Sequence, residues 1–209
     1  MNNINKTLSV LLLFIGTLTI SAQDNRTLDT KVADILAQLP TGDLEHSDRL
    51  MQEIIGLGES GILKFTDMLV PLGTGNDTKA RYAVQSVAVY SGGSNAQIQN
   101  GIVENTLLKA LEKASDKEVK TFLMERLQYV GTNASVAVLS SYLGNNALFE
   151  PALATLTAIG TEAAGKSILE ASQGADANRL AAFVDALGVL RFAPAQEALA
   201  QALASPSQT

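Results

Sequence analysis

Residues 116–143 read DKEVKTFLMERLQYVGTNASVAVLSSYL, and this stretch decides the fold. Asp116 stands before a run in which Val119, Leu123, Leu127 and Val130 recur on one helical face, and Gly131 closes the run. The Asp116 carboxylate is placed to accept the free backbone N–H groups of Glu118 and Val119, which have no partner within a first helical turn. A second helix is expected from Asn133 to Leu143, with Val136, Leu139 and Leu143 facing inward. A pair of this kind cannot bury its apolar stripes alone; neighbouring pairs must supply the partner surface.

The sequence supplies those neighbours. Asn145 or Asn146 is expected to cap a copy whose stripe is Ala152, Leu156 and Ile159; Gly160 and Thr161 turn the chain, and Ile168 and Leu169 enter the next helix. A third copy opens at Asp176 and runs through Leu180, Val184 and Leu187 to Gly188. It resumes after Pro194 with Leu199 and Leu203. Measured back from Gly131, Gly160 and Gly188, apolar residues stand at one, four and eight positions in every copy, and the glycines are 29 and then 28 residues apart. Upstream, Leu50, Ile54 and Leu57 hold the same offsets from Gly58, followed by Leu63, Phe65 and Leu69. Between lies a longer unit from Asn76 or Asp77 to about Ala114, with Ala80, Val84 and Val87 before a Gly92-Gly93 break. Its second helix carries Ile98, Ile102, Leu107, Leu108 and Leu111.

Self-similar helix pairs with a period near 30 residues mark a stacked architecture. Asp116 to Leu143, Asn145 to Ser172 and Asp176 to Leu203 resemble short bacterial HEAT-like repeats, over roughly residues 43 to 204. The usual Asp-Val-Arg-x-x-Ala opening occurs only as Asp77-Thr78-Lys79-Ala80-Arg81-Tyr82-Ala83, which leaves the repeat boundaries loose. The resemblance implies an all-α solenoid of about five stacked helix pairs at 43–204, covered at the start by a capping helix within 23–42, from about Asp29 to Leu39. A plain four-helix bundle or a tandem of bundles is the structural alternative.

Residues 1–22 differ from the rest. A polar start with Lys6, a 13-residue apolar run from Leu8 to Ile20, and small Ser21 and Ala22 are expected to form a secretory signal peptide. The run is short for a hydrocarbon core of about 30 Å, which takes about 20 helical residues, so no integral span is expected after cleavage. The expected localisation is the periplasm or cell surface. Without Lys6 the chain has 14 basic and 21 acidic residues, a net charge of −7. That balance, with bases interspersed among acids, opposes nucleic-acid binding, which requires a basic footprint. No cysteine is present, so disulfides, thiolate metal sites and cysteine nucleophiles are excluded.

Catalytic chemistry finds little support. His46 is the sole histidine, in Asp43-Leu44-Glu45-His46-Ser47-Asp48, and reads as a surface imidazole in the first turn of a helix; one nitrogen ligand beside loosely placed Glu45 or Asp48 makes a poor zinc site. No Gly-x-Ser-x-Gly elbow exists to aim a serine. Some HEAT-like proteins are iron-dependent hydroxylases with several paired His-Glu motifs, and one histidine does not reproduce them. Leu72-Gly73-Thr74-Gly75-Asn76-Asp77 lacks the Gly-Lys-Ser/Thr ending of a phosphate loop and follows a helix, so it reads as a turn between repeats, as does Gly92-Gly93-Ser94-Asn95. Spaced carboxylates such as Glu59 with Asp67, or Glu118 with Glu125, read as solvated acids. No catalytic residue, metal site or cofactor is therefore expected.

What remains is a surface for holding something. In HEAT-like stacks the second helix of each pair lines the inner side, which makes Lys64, Asp67, Ser140, Ser141, Tyr142, Lys166, Glu170, Gln196 and Gln201 the candidate partner-binding residues. These are small and polar, without the Tyr/Trp/Arg clustering of a strong protein hot spot. The expected function is a non-catalytic exported scaffold that binds a protein partner. The alternative is an accessory helical module of a larger, carbohydrate-active enzyme, with the Ser205-Pro206-Ser207-Gln208-Thr209 tail at 205–209 as the start of a linker to a covalently attached C-terminal domain.

Overall fold

The computed structural model describes residues 24–93 and 100–196, which form ten helices and the start of a further one at 193–196. The ten are α1 (Leu28–Gln38), α2 (Leu44–Gly56), α3 (Gly58–Thr66), α4 (Thr78–Gly92), α5 (Asn100–Lys113), α6 (Lys117–Val130), α7 (Asn133–Ser140), α8 (Phe149–Ile159), α9 (Glu162–Ser172) and α10 (Ala177–Val189). No strand occurs among the described residues, and the protein is all-α. The expected leader, Ile98, Leu199, Gln201, Leu203 and the 205–209 tail lie outside the described residues. No helix among the described residues is long and apolar enough to cross a membrane.

Helix starts follow the cap chemistry of the sequence. Asp116 Oδ1 accepts the N–H groups of Glu118 and Val119 at 2.8 and 3.1 Å, and Asp176 does the same for Asn178 and Arg179. Thr27, Asp43, Thr132 and Thr161 each accept a first-turn N–H in α1, α2, α7 and α9. These bonds satisfy amides that a helix start otherwise leaves unpaired.

Four local details depart from the sequence reading. Asn145 caps a turn, accepting from Ala147 and Leu148, and α8 begins only at Phe149. Of the two residues expected to open α4, Asp77 does not cap it, because its carboxylate is taken by the Val70 N–H and the Arg81 guanidinium, and Asn76 Oδ1 accepts the Thr78 N–H at 3.3 Å. The second helix of the 116–143 pair stops at Ser140, where the Ser140 and Ser141 hydroxyls bond back to the carbonyls of Val136 and Val138 and compete with the helical ladder. In the third copy α10 runs on through Gly188. The left-handed residue is Arg191, and the Phe192 N–H reaches back to the Leu187 carbonyl. With that phase Phe183, Ala186 and Leu187 face inward while Leu180 is 40% exposed. Phe183 meets Phe149 edge to face at 5.3 Å.

The remaining stripe positions are buried much as their spacing requires. Leu50, Ile54, Leu123, Leu127, Val130, Ala152 and Leu156 belong to one continuous apolar cluster, with Leu57 and Ile159 packed half-buried against it. Each fully buried Leu or Ile is worth about 1.5–3 kcal/mol relative to an exposed one.

Packing follows chain order. α2, α4, α6, α8 and α10 lie in one row, each against the next, and α1, α3, α5, α7 and α9 lie in a second. Helices consecutive in the chain also pack across the rows, as α5 does on α6 and α9 on α10. Thr155 shows how rows are fastened: buried on α8, it donates to the Met124 carbonyl of α6 at 3.0 Å and to the Pro151 carbonyl at 2.7 Å. The α5–α7 contact is the thinnest step of the second row.

Candidate functional site

The second row is stitched by ion pairs that cross from helix to helix. Lys64 on α3 meets Asp29 on α1 at 2.7 Å, Lys109 on α5 meets Glu59 on α3 at 2.6 Å, and Lys113 on α5 meets Asp67, just after α3, at 2.6 Å. The Asp29 carboxylate, hydrogen-bonded to Lys64, raises that ammonium above the ordinary lysine range. Such exposed pairs are screened by solvent and add little to stability. Lys64 and Asp67, expected to face a partner, are thus engaged with neighbouring helices.

The ladder stops at α7, whose sequence NASVAVLS carries no charge. Glu104 fastens its start. This α5 residue is 3% exposed, and its carboxylate accepts from the Thr132 N–H at 2.7 Å, the Thr132 hydroxyl at 3.0 Å and the Ser135 hydroxyl at 2.6 Å. Beyond that anchor the short side chains of α7 fail to reach α5, and a groove of about 580 Å³ opens. One wall is the α5 stripe Asn105, Leu108, Lys109 and Glu112; the other is Val138, Ser141 and Tyr142, with Glu59 at one end. Both walls follow the three- and four-residue spacing of a single helical face. Lys120 lies over the Tyr142 ring, 5.1 Å from its centroid, and donates to its hydroxyl at 3.1 Å.

Of the nine expected partner-binding residues, the eight that lie within the described residues do not converge on one patch. Ser141 and Tyr142 share this groove, Ser140 lines a separate hollow with Arg179 and Phe183, and Asp67 lines a third beside Lys113 and Asp116. Lys166 and Glu170 face each other at 3.9 Å along α9. Gln196 is exposed at the end of the described chain.

The first row carries a feature the sequence reading passed over. Phe122 on α6 is flanked by two guanidinium groups, Arg81 from α4 at 4.8 Å and Arg126 at 4.6 Å from the ring centroid. Arg81 also pairs with Asp77 at 2.8 Å and donates to the Val70 carbonyl. Burial lowers the affinity of Arg126 for its proton, with Glu125 and Tyr129 opposing and Arg81 adding to the effect. Its Nε is buried without an acceptor. About two turns further along α6 the helices close up: a Cβ on Gly92 of α4 would lie 2.4 Å from the Tyr129 carbonyl oxygen of α6. There Tyr129 stands 47% exposed, while Val89, 44% exposed, lines a hollow between α4 and α2 with Ser47, Asp48 and Met51. An exposed phenol near guanidinium groups brings together Tyr and Arg, residue types that concentrate binding energy at protein interfaces.

Catalytic candidates stay dispersed. His46 Nε2 lies 3.0 Å from Gln38 Oε1, and among the described residues no three His, Asp or Glu side chains are grouped to hold a metal ion. The Leu72–Asp77 loop faces acids, since Glu118 accepts the Leu72 N–H and Asp77 turns back to Val70, an arrangement hostile to phosphate. No protein-family model matches the chain, and no curated protein and no solved structure matches it either.

Proposed function

We propose that this chain is a non-catalytic, exported interaction module, a HEAT-like solenoid that docks a protein partner on the seam between α4 and α6. The neighbour-by-neighbour packing of two helical rows and the shared offsets before Gly58, Gly131 and Gly160 support the solenoid reading. The leader-like composition of residues 1–22 supports export. The observation that carries the docking surface is the exposure of Tyr129 on the α4–α6 seam, near Arg126 of the Arg81–Phe122–Arg126 stack. Tyr129 is the expected anchor: it presents a large ring with few rotamers to lose and a hydroxyl for one directed bond.

The test is affinity capture from envelope extract with the wild-type protein and with Tyr129→Ala, followed by measurement of the captured partner's affinity for both. A partner retained by the wild type and weakened about tenfold or more by Tyr129→Ala supports the reading. Empty capture by folded wild-type protein, or a partner indifferent to Tyr129→Ala, contradicts it.

A further inference from the structure

We infer that the groove between α5 and α7 is a binding site for a neutral, polyhydroxylated ligand, a short saccharide of two or three rings. This site is separate from the α4–α6 seam, on the other row of helices, and its existence does not depend on a protein partner.

Charge comes first. Lys109 and Glu59 neutralise each other at 2.6 Å, which leaves Glu112, exposed and without an ion-pair partner among the described residues, as the groove's uncompensated charge. A phosphate or carboxylate ligand would meet that negative charge with no free cation in the walls, so anions are disfavoured.

Hydrogen-bonding capacity comes second. Along one stripe of α5 the Asn105 amide offers a donor and an acceptor, the Lys109 ammonium a donor and Glu112 an acceptor; across the groove the Ser141 oxygen, its proton given to the Val138 carbonyl, accepts, and the Tyr142 hydroxyl, already accepting from Lys120, donates. A ligand matched to that mixture needs groups that donate and accept at short intervals. Hydroxyls on adjacent ring carbons meet this need, and those that donate to Glu112 or accept from Lys109 form charge-assisted bonds.

Apolar surface comes third. Leu108 and Val138 are half-buried in opposite walls and Tyr142 is held by Lys120, which gives the C–H faces of a sugar ring something to cover. A peptide would find no deep apolar pocket for an anchoring side chain here. The volume, about 580 Å³, falls within the ordinary range of small-molecule sites, roughly 300–1,000 Å³.

The experiment is a titration of the ¹⁵N-labelled protein, followed by amide chemical shifts, with cellobiose, maltose and N,N′-diacetylchitobiose, and with a lysine-rich peptide as the charged comparison. At least one disaccharide should give saturable shifts confined to amides around Asn105–Glu112 and Val138–Tyr142. Glu112→Ala should weaken that binding about tenfold. Ser141→Trp, which places an indole across an exposed rim position, should abolish it while the far-ultraviolet circular dichroism stays that of the wild type. Three results overturn the inference: no saturable shift with any of the three sugars, sugar binding that Ser141→Trp leaves unchanged, or groove shifts produced by the peptide alone.

Discussion

Glu104 is an acid in a place where acids are rarely found, buried between two helices with hydroxyl and amide donors and no cation. Its removal strands the Thr132 N–H and the Ser135 hydroxyl, each deprived of its acceptor, at about 1–3 kcal/mol apiece. Glu104→Leu is therefore expected to destabilise the protein by about 3 kcal/mol in urea unfolding, with α7 first to lose protection. Asp77 gives a pH-dependent counterpart. Burial raises its pKa, but the Val70 N–H and the Arg81 guanidinium outweigh burial and hold the carboxyl below its ordinary value. A folded-state pKa below the unfolded one means that the stabilisation is complete above the unfolded value, about 3.9, and disappears as pH falls through the folded value. The stability gap between wild type and Asp77→Asn should thus be constant near neutral pH and shrink below about pH 4, as measured by unfolding at a series of pH values. Neither role was legible in the sequence. Glu104 reads as one more solvated acid on an amphipathic helix, since Thr132 and Ser135 arrive 28 and 31 residues later. Asp77 reads as a cap because nothing local announces that Val70 and Arg81 compete for it.

At the level of elements, helix existence and most helix starts were legible because their causes are local: an Asp or Thr oxygen beside three unpaired amides, then apolar residues on one face. Helix ends were less so. Gly131, Gly160 and Gly188 hold one place in the pattern but three conformations, an extended C-cap, a left-handed C-cap at φ 67° and an ordinary helical residue. Spacing records which residues face inward; the turn that follows is settled by tertiary contacts. A paired substitution separates the cases. Gly188→Ala meets no atom within 4 Å and should stabilise α10 by about 0.5–1 kcal/mol through helix propensity. Gly92→Ala places a Cβ 2.4 Å from the Tyr129 carbonyl and should destabilise by about 1–3 kcal/mol, because backbone cannot step aside as a flexible side chain would. Thermal unfolding of both variants checks the opposite signs.

For the whole molecule, the order of packing could be anticipated from the offsets shared by the glycine-terminated stripes, but neither candidate surface could. The groove exists because α7 has eight residues, small side chains and no charge, so that α5 outreaches it; that is a mismatch between two elements and not a motif in either. The α4–α6 seam assembles Arg81, Phe122, Arg126 and Tyr129 from helices whose companions the HEAT-like resemblance marks as the binding side. The central claim is that each helix leans on its neighbours in the rows and on nothing further away. Hydrogen–deuterium exchange of Leu156→Ala beside wild type tests it most directly. Leu156 is fully buried in α8, and its truncation leaves a cavity worth about 2–5 kcal/mol. The account predicts faster exchange in α6, α7, α8, α9 and α10 with protection in α1 to α3 retained. An equal loss of protection from α1 through α10, as a single closed core would give, would contradict it.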